Sequence, residues 1–109
     1  MRFLAIGEPT AAYDLETAHD LMDAEIAVAR QLYAEHVIDE GYLDESSTRA
    51  ILLIDAEDHA EVETQLARYP MVHAGLIRFV VTALTVLPAL SQTRTITTEQ
   101  GLVASSRLT

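Results

Sequence analysis

Hydrophobic and polar positions along the chain alternate in blocks that predict four strands and two helices. Apolar, β-branched runs bounded by Gly, Pro, Asp or Ser predict strands, whereas stretches rich in Ala, Leu, Glu and Asp predict helices. The resulting order β-α-β-β-α-β is that of a ferredoxin-like α+β domain, in which the helices cover one face of a four-stranded sheet. The predicted strands are 2–7, 37–43, 48–54 and 76–84, and the predicted helices are 14–35 and 55–68.

The third and fourth predicted strands are apolar on both faces. A sheet with one covered face shows polar residues at every second position. Residues 50–54 contain none, and 76–84 contain only Arg78 and Thr82. Because an apolar sheet face needs a cover, a second copy of the same chain is the economical partner for a one-domain protein. We therefore predict a homodimer or a higher homo-oligomer.

The length of the chain, 109 residues, fits one domain. We assign residues 1–88 to the ferredoxin-like domain. Pro88 ends the apolar stretch, and residues 89–109, rich in Ser, Thr and Gln, are assigned to a C-terminal arm. The arm either lies on a neighbouring subunit or frays, and removing residues 90–109 is expected to leave the domain folded.

Charge and composition narrow the range of partners. The net charge is −10, from 17 acidic residues and 7 arginines, so the chain repels phosphate backbones and anionic lipid surfaces. We predict neither a nucleic-acid nor a membrane partner. The absence of Cys excludes disulfides, thiolate zinc sites and a cysteine nucleophile. No apolar run has the length of a signal peptide or a membrane span, so the cytoplasm is the expected location.

Glu25 is the most unusual residue of the first predicted helix. On a helical wheel, a carboxylate at this position lies in the middle of an apolar stripe, where an unpaired charge is costly. Two interpretations follow: an ion pair with Arg78 or Arg49, or an acid–base group facing a pocket. The stripe consists of Ala18, Leu21, Met22, Val28, Ala29 and Leu32.

Other residues are candidates for binding and catalysis beside Glu25. His73 precedes the last strand, close to Tyr69, at an end of the sheet where side chains reach a cavity. Arg78 interrupts an apolar strand, either as a clamp for a substrate carboxylate or enolate or as the partner of a buried acid. Tyr69, Tyr42 and Met22 are predicted to contact substrate. The histidines share no metal-ligand spacing and no Gly-rich phosphate loop is present, so neither a metal nor a cofactor is predicted.

Three stretches of sequence resemble the muconolactone isomerase-like branch of the dimeric α/β-barrel superfamily: 32–35, 50–56 and 65–71. The resemblance covers residues 2–85 and implies that two sheets pair face to face into a β-barrel. It also implies a first-helix glutamate on the pocket side, a place occupied here by Glu25. The second strand of the isomerase is basic and carries Trp, whereas residues 37–42 contain no Arg, Lys or Trp. A muconolactone carboxylate would lose those partners.

Together these features predict a cofactor-independent isomerase or cyclase that moves a proton on a small, largely apolar carbonyl compound, a lactone or a polyketide-like intermediate. Glu25 would be the general base, His73 an acid or proton shuttle, and Arg78 or Tyr69 the group that stabilises enolate charge. The alternatives are a non-catalytic ligand-binding or assembly module on the same fold and a cofactor-free monooxygenase. A Glu25 that faces an open cavity favours catalysis, and a Glu25 locked to an arginine favours the module.

Overall fold

A computed structural model describes residues 1–90 as a four-stranded antiparallel sheet with its helices on one side. The strand order is β2-β3-β1-β4, with the two helical connections of a ferredoxin-like domain, so the predicted fold class is confirmed. The residues assigned to the C-terminal arm lie almost entirely outside the described part. The elements are β1 (Arg2–Pro9), α1 (Leu15–Ala34), β2 (Ile38–Leu43), β3 (Ala50–Asp55), α2 (His59–Leu66), α3 (Pro70–His73) and β4 (Ile77–Leu84).

One element, α3, was absent from the sequence prediction. Pro70, expected only to lie beyond a helix end, occupies the first turn of this one-turn helix, where its missing N–H is no disadvantage. Gly75 ends the helix with a left-handed φ of 79°, and Leu76 N–H returns to the carbonyl of Met71 at 2.9 Å. A four-residue helix gives little periodic signal, which is why the pattern missed it.

The core lies between the helices and one face of the sheet. Alternate residues of the central strands point into it, among them Phe3, Ala5, Leu52 and Ile54, each at most 7% exposed. Leu32 of α1 packs against this set, together with Val62 and Leu66 of α2. None of the helices in the described part is long and apolar enough to cross a membrane.

The opposite face of the sheet is apolar and has no cover within the described chain. Leu4 stands between Leu53 and Thr82 in the strand register, and Ile6 stands between Ile51 and Val80. Val80 is 46% exposed, whereas Phe3, Ala5, Leu52 and Ile54 on the core face of β1 and β3 are each at most 7% exposed. The sequence prediction of strands that are apolar on both faces is therefore correct for β3, whereas on the uncovered face of β4 Arg78 and Thr82 alternate with Val80 and Leu84.

Replacing Ile54 with Ala should lower the free energy of unfolding by about 2–5 kcal/mol, because its side chain is fully buried and the change leaves a cavity. Leu15, which is 74% exposed at the start of α1, is the control, since its replacement with Ala leaves no cavity in the core. Urea unfolding of both Ala variants checks this. A loss at Ile54 no larger than that at Leu15 would contradict the burial of Ile54 in the core.

Candidate functional site

A cavity of about 450 Å³ lies between α1 and the covered face of the sheet, at the end where β1 finishes and β3 and β4 begin. Its wall is mostly apolar and partly aromatic, which is typical of a small-molecule site. Tyr13, Met22, Ile26 and Leu43 are each 40% or more exposed and form its rim. The remaining lining residues are Gly7, Pro9, Glu25, Ala29, Ser47, Thr48, Ala50, Leu52, Tyr69, Met71, Ile77 and Phe79.

Glu25 is half-buried in this wall and holds the start of α3. Its Oε1 accepts a hydrogen bond from the backbone N–H of Met71 at 2.9 Å. The first-turn N–H groups of a helix have no partner within the helix, so the carboxylate supplies one. Its second oxygen, Oε2, forms no hydrogen bond with the described residues.

The expected ion pair of Glu25 with Arg78 or Arg49 does not form. Among residues 1–90, no Arg or His side chain lies within salt-bridge distance of Glu25. Burial therefore raises the pKa of Glu25, and the hydrogen bond from Met71, which favours the charged form, opposes this by a smaller amount. The carboxylate faces a cavity whose wall, within residues 1–90, contains no Arg, Lys or His.

Tyr69 lies beside Glu25 at the N-terminal end of α3. It is 5% exposed, and its ring stacks on that of Phe79 with 5.9 Å between centroids and 29° between planes. Burial, and secondarily the charge of Glu25, raise the pKa of Tyr69 to about 12. At neutral pH its hydroxyl therefore keeps its proton and is a hydrogen-bond donor.

The structure brings together three of the six residues predicted for the site and separates the other three from them. Glu25, Tyr69 and Met22 line the cavity. Tyr42, 57% exposed, lies on the uncovered sheet face, where its hydroxyl donates to Glu40. His73 is exposed at the end of α3 and is not part of the cavity wall.

Arg78 lies on the wrong side of the sheet for the predicted role. Its register partner is Glu8, and both residues alternate with the core-facing positions Gly7 and Phe79. Because strand side chains alternate between faces, Arg78 points away from the cavity within this chain. The sequence shows that Arg78 interrupts an apolar strand, but it does not show which face is covered.

Several lining residues were missed by the sequence analysis. Phe79 and Gly7 have ordinary strand patterns, and their importance comes from the register that sets them opposite each other. Ser47 and Thr48 precede β3 in a loop where Ser47 has a left-handed φ of 61°, uncommon outside Gly and Asn. The sequence Asp44-Glu45-Ser46-Ser47 predicts a turn, but it gives little indication that Ser47 adopts a left-handed conformation.

The cavity wall has few polar side chains. Its described lining includes one carboxyl residue, two tyrosines, Ser47 and Thr48, and no basic residue. Within residues 1–90 no three His, Asp or Glu side chains converge as a metal site. The arrangement suits an uncharged ligand whose acidic hydrogen meets Glu25 and whose oxygen accepts from Tyr69.

No protein-family model matches the chain, and no curated protein is significantly similar to it. Among solved structures, it is similar to 5-chloro-2-hydroxyhydroquinone dehydrochlorinase (TftG) from Burkholderia phenoliruptrix AC1100, in complex with 2,5-dihydroxybenzoquinone. The TM-score is 0.64 and the identity 23%, over 82% of this chain and 98% of that chain. This likeness shows a common fold.

The Gln replacement of Glu25 should change how stability depends on pH. Since the pKa of Glu25 is raised in the folded protein, the folded state binds its proton more tightly than the unfolded state. The stability that this proton contributes is present at low pH and is lost as the pH rises through the folded pKa. Gln keeps an acceptor for Met71 without the charge, so the melting temperature of Glu25→Gln relative to the unmodified protein should rise across that window.

Thermal unfolding of both proteins from acidic to neutral pH measures this difference. Glu16→Gln, an exposed change on the same helix, is the matched control and should show no such rise. The opposite result is that the melting temperature of Glu25→Gln, relative to that of the unmodified protein, falls from acidic to neutral pH. This result would indicate that the ionised carboxylate stabilises the fold.

Proposed function

We propose that the chain is a cofactor-independent enzyme that moves a proton on a small, uncharged carbonyl compound, as an isomerase or a cyclase. The observation that carries this proposal is Glu25: a half-buried carboxylate without a cationic partner among residues 1–90, facing an apolar cavity beside the protonated hydroxyl of Tyr69. A carboxylate with a raised pKa is a stronger base than an exposed one, which suits it to work near neutral pH.

In the proposed reaction, Glu25 removes a proton from the carbon next to the carbonyl group. The C–H bond breaks, the proton binds a Glu25 oxygen, and the electron pair forms the enolate double bond while charge develops on the carbonyl oxygen. Tyr69 donates a hydrogen bond to that oxygen and stabilises the charge. Because its pKa of about 12 keeps it neutral, Tyr69 donates without adding a second negative charge.

The enolate then reacts in one of two ways, and in each the proton on Glu25 returns to the product. In an isomerase, Glu25 returns the proton to a different carbon and the double bond ends in a new place. In a cyclase, the enolate carbon attacks a second carbonyl carbon of the same molecule, and the resulting alkoxide takes the proton from Glu25. Neither outcome uses His73 or Arg78, which lie outside the cavity wall.

A hydroxylated ring with a carbonyl group is the first ligand class to test. The similar solved structure holds 2,5-dihydroxybenzoquinone, and dehydrochlorination, the activity for which that protein is named, also removes a proton from its substrate. The cavity of about 450 Å³ is large enough for one or two such rings.

A non-catalytic ligand-binding module is the second candidate, and one contact favours it. The hydrogen bond from Met71 N–H to Glu25 gives the carboxylate a structural role as the cap of α3. In that case the cavity binds its ligand unchanged, and Glu25 is replaceable by Gln without loss of binding.

Hydrogen–deuterium exchange separates the two candidates without knowledge of the final product. A panel of cyclic hydroxyketones that are uncharged at neutral pH is incubated with the protein in D₂O, and loss of the proton next to the carbonyl is followed by NMR. We expect catalysed exchange with at least one compound and a decrease of roughly 10²-fold or more in Glu25→Gln. Tyr69→Phe should lower the rate by about 10²-fold through loss of the donor.

The pH profile of this exchange should follow Glu25. The rate should rise with pH to a plateau, with an apparent pKa above the ordinary value for glutamate, because the base is active only when deprotonated. Tyr42→Phe, on the far face of the sheet, is the matched control and should exchange normally. Ligand binding by the unmodified protein without catalysed exchange would leave the binding module as the function.

We also propose that two copies of the chain pair through the uncovered sheet face. Its apolar residues, Leu4, Ile6, Ile51, Leu53 and Val80, form a continuous patch across three strands, which water would otherwise contact. The dimeric α/β-barrel superfamily, which the sequence resembles, pairs its sheets in this way.

Sedimentation at low micromolar concentration should therefore show a dimer or a larger assembly. Leu53→Arg places a charge in the middle of the patch while its side chain points away from the core, so this variant should dissociate and remain folded. Ala27→Arg, an exposed change on α1, adds the same charge elsewhere and should leave the assembly intact. A folded monomer of the unmodified chain at that concentration would exclude the pairing.

A further inference from the structure

Gly7 occupies a position where a glycine is unfavourable for the strand. It lies in β1, an interior strand of the sheet, where glycine offers no side chain to pack and loses the most conformational entropy on folding. Among the described glycines, Gly75 has a positive φ and Gly7 does not, so the backbone at Gly7 is open to other residues. The reason for a glycine here is therefore space.

Phe79 fills that space. A Cβ on Gly7 would lie 2.7 Å from Cε1, 2.9 Å from Cζ and 3.1 Å from Cδ1 of the Phe79 ring, closer than side-chain carbons approach in folded proteins. Phe79 is also the register partner of Gly7 across the β1–β4 pair. Its ring thus leans over the bare backbone of Gly7 instead of standing upright on the sheet.

The same ring connects Gly7 to the proposed catalytic pair. Phe79 stacks on Tyr69 at 5.9 Å, and Tyr69 is close enough to Glu25 for the carboxylate to affect its pKa. All four residues line the cavity. A shift of the Phe79 ring away from β1 therefore moves it toward Tyr69 or into the cavity.

We propose that Gly7 is a positioning residue: by leaving room for the Phe79 ring, it sets the place of the Tyr69 hydroxyl relative to Glu25. The proposal rests on the proposed function where it treats Tyr69 and Glu25 as the reacting groups. The geometric part of the proposal is that Gly7 controls the position of Tyr69 relative to Glu25 through Phe79. This part does not depend on the proposed function.

The geometric part is tested by NMR on protein labelled with ¹³C at Cζ of tyrosine. The Tyr69 signal, identified by its loss in Tyr69→Phe, should move with pH as Glu25 titrates, and Glu25→Gln should abolish that movement. In Gly7→Ala the size of this pH-dependent change in the Tyr69 chemical shift should differ from that in the unmodified protein by about half or more. The reason is that the displaced Phe79 ring alters the position of Tyr69 relative to Glu25. Gly41→Ala is the matched control: its Cβ meets only the flexible end of Leu52, at 3.2 Å.

The Phe79→Leu background shows whether Gly7 acts through Phe79. A smaller side chain leaves room for the new Cβ, so adding Gly7→Ala to Phe79→Leu should change neither the Tyr69 signal nor the exchange rate further. If Gly7→Ala alone fails to fold, the test is the comparison of Phe79→Leu with the double variant. A double variant that folds like Phe79→Leu supports the proposal. Equal damage by Gly7→Ala in both backgrounds overturns it, because the damage would then belong to the strand.

The catalytic part is read from kcat and KM separately, in the exchange assay. Misplacement of Tyr69 should lower kcat by roughly tenfold or more, whereas simple narrowing of the cavity raises KM at unchanged kcat. A Tyr69 signal and a kcat that are both unchanged in folded Gly7→Ala overturn the positioning role. Full exchange activity in Glu25→Gln, with an altered Tyr69 signal in Gly7→Ala, instead overturns the proposed function and leaves the geometric part standing.

Discussion

The hydrogen bond from Met71 N–H to Glu25 joins α1 to α3 and fixes the end of the cavity. A one-turn helix has no stability of its own, since its few hydrogen bonds do not compensate for the ordering of the chain. Here the turn is secured at its start by the carboxylate of Glu25 and at its end by the left-handed Gly75. Tyr69, which precedes the turn, is held over the cavity as a consequence, so the arrangement of the polar groups depends on this bond.

Two glutamates of the same helical segment show what the surroundings do to a carboxyl group. Glu35, at the exposed end of α1, is bound by Arg68 at 2.8 Å, and its pKa falls to about 2. Glu25 has no such partner in the part of the chain that the structure describes, and burial raises its pKa. With a net charge of −10 and no Arg, Lys or His in the described cavity wall, the charges of the protein disfavour an anionic ligand. The lack of basic residues in strand two, noted from the sequence, agrees with the proposal of an uncharged ligand.

Periodicity was sufficient to predict the fold and the position of Glu25, and insufficient for the rest of the site. The blocks of apolar residues gave the order of the elements, and the apolar stripe of α1 placed Glu25 on its inner side. Whether Arg78 or Phe79 faces the cavity depends on strand register relative to the covered face, which a strand that is apolar on both sides leaves ambiguous.

Two residues of the cavity wall, Glu25 and Gly7, are unfavourable for local stability. This is the strongest general argument that the cavity has a function. A carboxylate in a buried stripe costs free energy when ionised, and a glycine in an interior strand gives up packing. Each alone has an ordinary explanation, since Glu25 caps α3 and Gly7 accommodates Phe79. Both, however, lie in the wall of one cavity. Local conflicts of this kind are expected where a sequence meets a requirement other than folding. In the proposed function, that requirement is the placement of the Glu25 carboxyl group and the Tyr69 hydroxyl around a ligand.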